Sequence, residues 1–86
     1  MKNEAQVVKE IIACIESERI NVVEDIERTA QATANLRAAM AWADIPLECG
    51  LVAINTLTHK EKFLQVHFEQ LGKSIDLARE LNTPEA

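Results

Sequence analysis

Two histidines and two cysteines are the residues of this chain whose types best suit catalysis or metal binding. Both histidines fall in the segment HKEKFLQVHFE, residues 59–69, together with Glu61 and Glu69. On a helix, His59 and His67 stand about 12 Å apart along the axis and about 80° apart around it. Two histidines that chelate one ion from a single helix need a spacing of three or four residues. The segment therefore predicts one side of a helix and not a metal site.

The neighbours of the two histidines support this interpretation. No Asp, Glu, Cys or His stands three or four positions from either of them. We expect His67 to flank a helix contact and His59 to be exposed, with no cofactor bound. One alternative is a metal-binding module built from Cys49, His59 and His67, because ligands from separate segments can meet in a fold or across a dimer.

The remaining reactive residues do not form a catalytic pattern. A nucleophilic cysteine needs a nearby base, and the helix register inferred below brings no histidine close to Cys14 or Cys49. Ser17 and Ser74 stand outside nucleophile motifs, and two isolated glycines cannot form a phosphate-binding loop. We therefore expect that this protein is not an enzyme.

Composition predicts one all-α domain over residues 1–86, with residues 1–3 and 83–86 frayed. The chain is 48% hydrophobic but only 3% aromatic, so its core must be aliphatic. Two glycines and two prolines leave little material for tight turns, which favours a few long helices over a sheet.

The charge balance bears on partners and compartment. A net charge of −5 disfavours nucleic acid and anionic membrane surfaces, since both attract basic proteins. A nucleic-acid-associated regulator that uses Arg28 and Arg37 is kept as an alternative, because the block from residue 28 to 43 holds no acid. No segment is apolar enough for an export signal or a membrane span, and two cysteines without an export signal predict a cytoplasmic protein.

Two apolar stripes predict two long helices. From residue 4 to 43 there is no Gly or Pro, and apolar or small residues recur at alternating steps of four and three, as in a heptad pattern. Arg19 occupies the one unsuitable position. The stripe is Val8, Ile12, Ile15, Val22, Ile26, Thr29, Thr33, Leu36 and Met40.

A second helix is predicted over residues 47–81, after a bend at Pro46. Asp44 can cap the start of this second helix. Its stripe is Leu47, Leu51, Ile54, Leu57, Glu61, Leu64, Phe68, Leu71, Ile75 and Ala78. Capping-box patterns at Asn21 and Thr58 leave open a break in each helix, but both stripes keep their phase there.

These helices predict a long antiparallel hairpin in which facing residue numbers add up to about 90. Thr29 then lies opposite Glu61, so that two polar residues share one layer. A two-helix hairpin leaves apolar residues uncovered, so we expect self-association into a helical bundle, with a dimer favoured. The alternative is a compact monomeric bundle of three or four helices, folded back at the two capping boxes. The uncovered residues are Ile11, Ile20, Val23, Ala30, Val52 and Val66.

The functional expectation is a non-enzymatic helical module that binds another protein, as a regulator, adaptor or chaperone, through apolar helix faces. Trp42 is the only tryptophan and stands beside the bend. Tryptophan is enriched at interface hot spots, although an indole in this position could also cover the end of the core. The predicted interface consists of Leu36, Met40, Trp42, Ile45, Leu47, Phe63, His67 and Phe68.

Overall fold

The computed structural model describes residues 3–42 and 47–81, and it confirms the all-α hairpin. The first helix, α1, runs from Glu4 to Met40, and the second, α2, runs from Glu48 to Leu81. α1 ends earlier than the predicted residue 43, since Ala41 and Trp42 form a turn. The predicted bend at Pro46 and its cap at Asp44 lie outside the described residues.

Helix α1 begins at a side-chain cap. The Oδ1 atom of Asn3 accepts a hydrogen bond from the backbone N–H of Gln6 at 2.8 Å, which satisfies one of the free donors of the first turn. Glu4 in the first turn and Arg37 in the last turn both suit the helix dipole. No residue that breaks helices interrupts the 37 residues of α1, so it continues through Asn21.

Helix α2 is also continuous through its capping-box pattern. The hydroxyl of Thr58 donates a hydrogen bond to the carbonyl of Ile54 at 2.8 Å instead of capping a new helix. With both helices unbroken, the described residues form an elongated body of 67 × 20 × 17 Å. The alternative of a compact three- or four-helix bundle is therefore wrong.

The two helices contact each other along the predicted stripes, which we call the seam. On α1, every predicted stripe position is buried or half-buried, as is most of the stripe on α2. Thr29 is only 3% exposed and Glu61 is half-buried, so both polar residues of the predicted layer turn inward. The most buried residues are Val22, Thr29, Gly50, Leu64, Ile75 and Ala78.

The seam departs from the prediction where α2 begins. Leu47 and Leu51 were predicted to face α1, but each side chain is 52% exposed, and Gly50 is buried in their place. The reason is Met40, whose sulfur lies 2.6 Å from the point that a Cβ on Gly50 would occupy. A Cβ at this position would displace the Met40 side chain, and glycine lets it pack against the start of α2.

Arg19 explains the one unsuitable position in the stripe of α1. Its guanidinium carbon lies 4.1 Å from the centre of the Phe68 ring, a cation–π contact. One guanidinium nitrogen lies 3.3 Å from the Cβ position of Gly72, so this glycine makes space for the arginine. The numbers of these facing residues add up to about 90, which is the predicted antiparallel register.

Near the open end of the hairpin, Arg79 and Glu16 join the helices by an ion pair with an N–O distance of 3.1 Å. Neither helix, within its described residues, combines the length and apolar character that a membrane span requires.

Candidate functional site

The histidines lie where the sequence places them. His59 is exposed, and His67 is half-buried at the edge of the seam. The His67 ring stacks on Phe63, with ring centres 6.3 Å apart and an angle of 15° between the planes. Within residues 3–42 and 47–81, no three His, Cys, Asp or Glu side chains are grouped so that they could hold a metal ion. The alternative metal module of Cys49, His59 and His67 therefore has no geometric support.

The two cysteines are both free and exposed. Cys14 lies in the first half of α1, while Cys49 lies in the first turn of α2. Because Met40 contacts Gly50, Cys49 stands beside the far end of α1, about 39 Å of helix from Cys14 at 1.5 Å per residue. This separation is far beyond the reach of a disulfide within one chain.

The two arginines proposed for nucleic-acid binding have different surroundings. Arg28 donates a hydrogen bond to Asp25 at 2.7 Å. This bond lowers the pKa of the Asp25 carboxyl and raises the pKa of the Arg28 guanidinium. Arg37 stands nine residues later, half a turn away around the helix. Arg28 is thus already paired with an acid. Arg28 and Arg37 also point to different sides of α1, so they do not form one contact face for a nucleic-acid strand.

The predicted interface residues divide into two groups. Leu36, Met40 and Phe68 are half-buried in the seam, like His67 at its edge, and Ile45 lies outside the described residues. Trp42, Leu47 and Phe63 are exposed, and Trp42 has 91% of its surface open to solvent. Trp42 therefore does not cover the end of the core.

Helix α2 carries five large apolar side chains on the side away from the seam, which we call the outer stripe, with His59 and Gln70 between them on the same face. Its members fall within an arc of about 60° at 100° per residue, so they share one face over about 44 Å of helix. Phe63, the largest of them, is 69% exposed. The outer stripe consists of Val52, Phe63, Val66, Leu77 and Leu81.

A second apolar feature is a groove of about 640 Å³ that opens between the helices, which we call the Arg19 groove. Its apolar lining comes from Ile20, Val23 and Phe68. Its polar lining residues are Arg19, Glu16, Glu24 and Glu27. The Nε atom of Arg19 is buried and has no hydrogen-bond partner. The groove combines apolar surface with an excess of negative charge.

Sequence reasoning missed this groove, although part of its signal was present. Arg19 stood out as the unsuitable position in a regular stripe, and Ile20 and Val23 stood out as apolar residues beside it. The missing information was that Gly72 faces Arg19 across the hairpin and gives the guanidinium room. Comparison of the chain with known protein families, curated proteins and solved structures finds no match.

Proposed function

We propose that this protein is a non-enzymatic module that binds another protein, by receiving an amphipathic helix of its partner along the outer stripe of α2. The observation that carries the proposal is the alignment of five large apolar side chains on one exposed face. Isolated exposed apolar residues are common on protein surfaces. Here five share one helix face, with the polar residues His59 and Gln70 between them, and such an amphipathic face is typical of an interaction site.

The shape of the stripe indicates the form of the partner. A straight strip about 44 Å long suits another helix laid alongside, which buries its own apolar residues at spacings of three and four. Phe63 stacks on His67 at the middle of the strip and supplies an aromatic anchor of the kind that dominates binding energy. Regulator, adaptor and chaperone roles all use this mode of binding. We propose in addition that the protein self-associates, because two helices alone leave apolar residues uncovered.

We place this activity in the cytoplasm. Two exposed free thiols suit a reducing compartment, where cysteines stay unpaired. The net charge of −5 disfavours nucleic acid and anionic lipid as the partner.

Affinity capture from the native host tests the proposal with one pair of matched variants. Phe63→Glu places a charge in the outer stripe, whereas Gln65→Glu adds the same charge at an exposed position on a different face of α2. We expect wild type and Gln65→Glu to retain a common partner and Phe63→Glu to lose it, with similar melting temperatures for all three. Retention of the same partner by Phe63→Glu would refute binding at the outer stripe.

A further inference from the structure

Helix α1 has an exposed stripe of its own, which we call the lateral stripe. Each of its members is the residue that directly follows a seam position in the sequence. It keeps the same alternating spacing as the seam and lies about 100° around the helix from it. All its members are exposed. The lateral stripe consists of Ile20, Val23, Glu27, Ala30, Ala34, Arg37 and Ala41.

The lateral stripe is complementary to itself when reversed. If a second copy is laid antiparallel about a two-fold axis beside residue 32, Glu27 meets the second copy's Arg37, and Ala30 meets its Ala34. Both contacts occur twice, as they must in a symmetric dimer. Glu27 and Arg37 make no ion pair among the described residues of one chain, so both charges are open for such a contact.

The same arrangement gives Trp42, the most exposed large apolar side chain of the described residues, a place to bind. It sets Trp42 of one copy at the level of residue 22 of the other along the helix axis, next to Ile20 and Val23 of the Arg19 groove. The groove presents Ile20, Val23 and Phe68 to the indole ring, and its carboxylates can accept a hydrogen bond from the indole N–H. The groove is broad and largely open, so it can receive one face of an aromatic side chain.

We propose that two copies of this chain dock α1 against α1 in an antiparallel pair, in which the two lateral stripes meet and Trp42 of each copy enters the Arg19 groove of the other. This inference goes beyond the proposed function, because it names a second copy as a partner and the α1 face as a separate site. Alanines at the centre allow a close approach of the helices, while Glu27 and Arg37 fix the register. The outer stripe of α2 stays free for a different protein.

Sedimentation equilibrium with charge-reversal variants tests the register. Wild type is expected to show a reversible monomer–dimer equilibrium. Glu27→Arg and Arg37→Glu should each weaken association by about tenfold, because each places like charges at two symmetric contacts. The double variant carries both changes and so restores both ion pairs with the charges exchanged. Its dimer dissociation constant should return to within about threefold of the wild-type value. Failure of the double variant to recover would overturn this register.

Trp42 gives an independent readout, because it is the only indole. Trp42→Ala should weaken association by about thirtyfold or more, as loss of a hot-spot side chain does. In wild type, its fluorescence should shift to the blue and become protected from acrylamide as concentration rises. A red, freely quenched emission in a proven dimer would overturn docking of Trp42 in the groove.

Phe63→Glu separates this inference from the proposed function. It should lose the partner protein in affinity capture but dimerise like wild type. A wild-type chain that stays monomeric at all concentrations and still captures its partner would refute the dimer alone. A chain that dimerises as described but loses no partner through Phe63→Glu would refute the outer-stripe proposal alone.

Discussion

Replacement of Arg19 by leucine should make the hairpin more stable, although it removes a contact. The guanidinium over Phe68 contributes about 0.5–1 kcal/mol as a partly exposed cation–π contact. Against this, the Nε–H group is buried without a partner, which costs about 1–3 kcal/mol. Leucine keeps most of the apolar contact that the arginine stem makes with the seam. We therefore expect Arg19→Leu to raise the free energy of unfolding by about 1–2 kcal/mol.

Urea and thermal unfolding at low protein concentration measure this effect, with each kcal/mol equal to a shift of about 4–8 °C for a chain of this size. Lys9→Leu is the matched control, because it removes the same charge from an exposed position on α1. It should leave the stability nearly unchanged. Arg19→Ala should instead destabilise the protein, since alanine cannot replace the packing of the arginine stem.

Two outcomes would refute this reasoning. A lower stability of Arg19→Leu would mean that the contact with Phe68 outweighs the unpaired Nε–H group. An equal gain in Arg19→Leu and Lys9→Leu would mean that net charge, and not burial, controls the effect.

Two further predictions concern the glycines and an ion pair. Gly50→Ala should destabilise the hairpin by about 1–3 kcal/mol, because its Cβ would lie 2.6 Å from the Met40 sulfur and would displace this half-buried side chain. Gly72→Ala should change the stability less, because the helix preference of alanine offsets its tight contact of 3.3 Å with the Arg19 guanidinium. Urea unfolding that gives Gly72→Ala the larger loss would contradict this. The hydrogen bond from Arg28 lowers the pKa of Asp25, so the small stabilisation from this pair is present above the ordinary aspartate pKa and is lost as the pH falls through the lowered value. In an NMR titration of wild type, the Asp25 carboxyl should titrate at a lower pH than an ordinary aspartate. In Arg28→Gln it should titrate close to the ordinary value. The same Asp25 midpoint in both proteins would mean that the pair does not form in solution.

The hairpin itself could be predicted from the spacing of apolar residues. Apolar residues at steps of three and four define one face in each helix. No Gly or Pro occurs from residue 4 to 43, so α1 contains no residue of a type that breaks helices. The register followed from the position of the bend, and the pairing of Met40 with Gly50 agrees with it. These features depend on local periodicity, which a sequence displays directly.

The start of α2 and the Arg19 groove could not be predicted in the same way. Leu47 and Leu51 continue the apolar stripe as well as any residue, so nothing in the pattern indicates that Gly50 takes the inner position. That choice depends on the volume of Met40, which comes from the other helix. The groove likewise needs Gly72 to face Arg19, and such a pairing emerges only when the two helices are placed side by side.

The extended hairpin leaves the outer faces of both helices exposed. The two native cysteines test it directly, because both are exposed and lie towards opposite ends. Spin labels on Cys14 and Cys49, measured by pulsed electron resonance with excess unlabelled protein, should give one distance of about 40 Å, as 26 residues of helix predict. A dominant distance below about 30 Å would mean that the helices fold back into a compact bundle, which would cover the stripes and contradict the account.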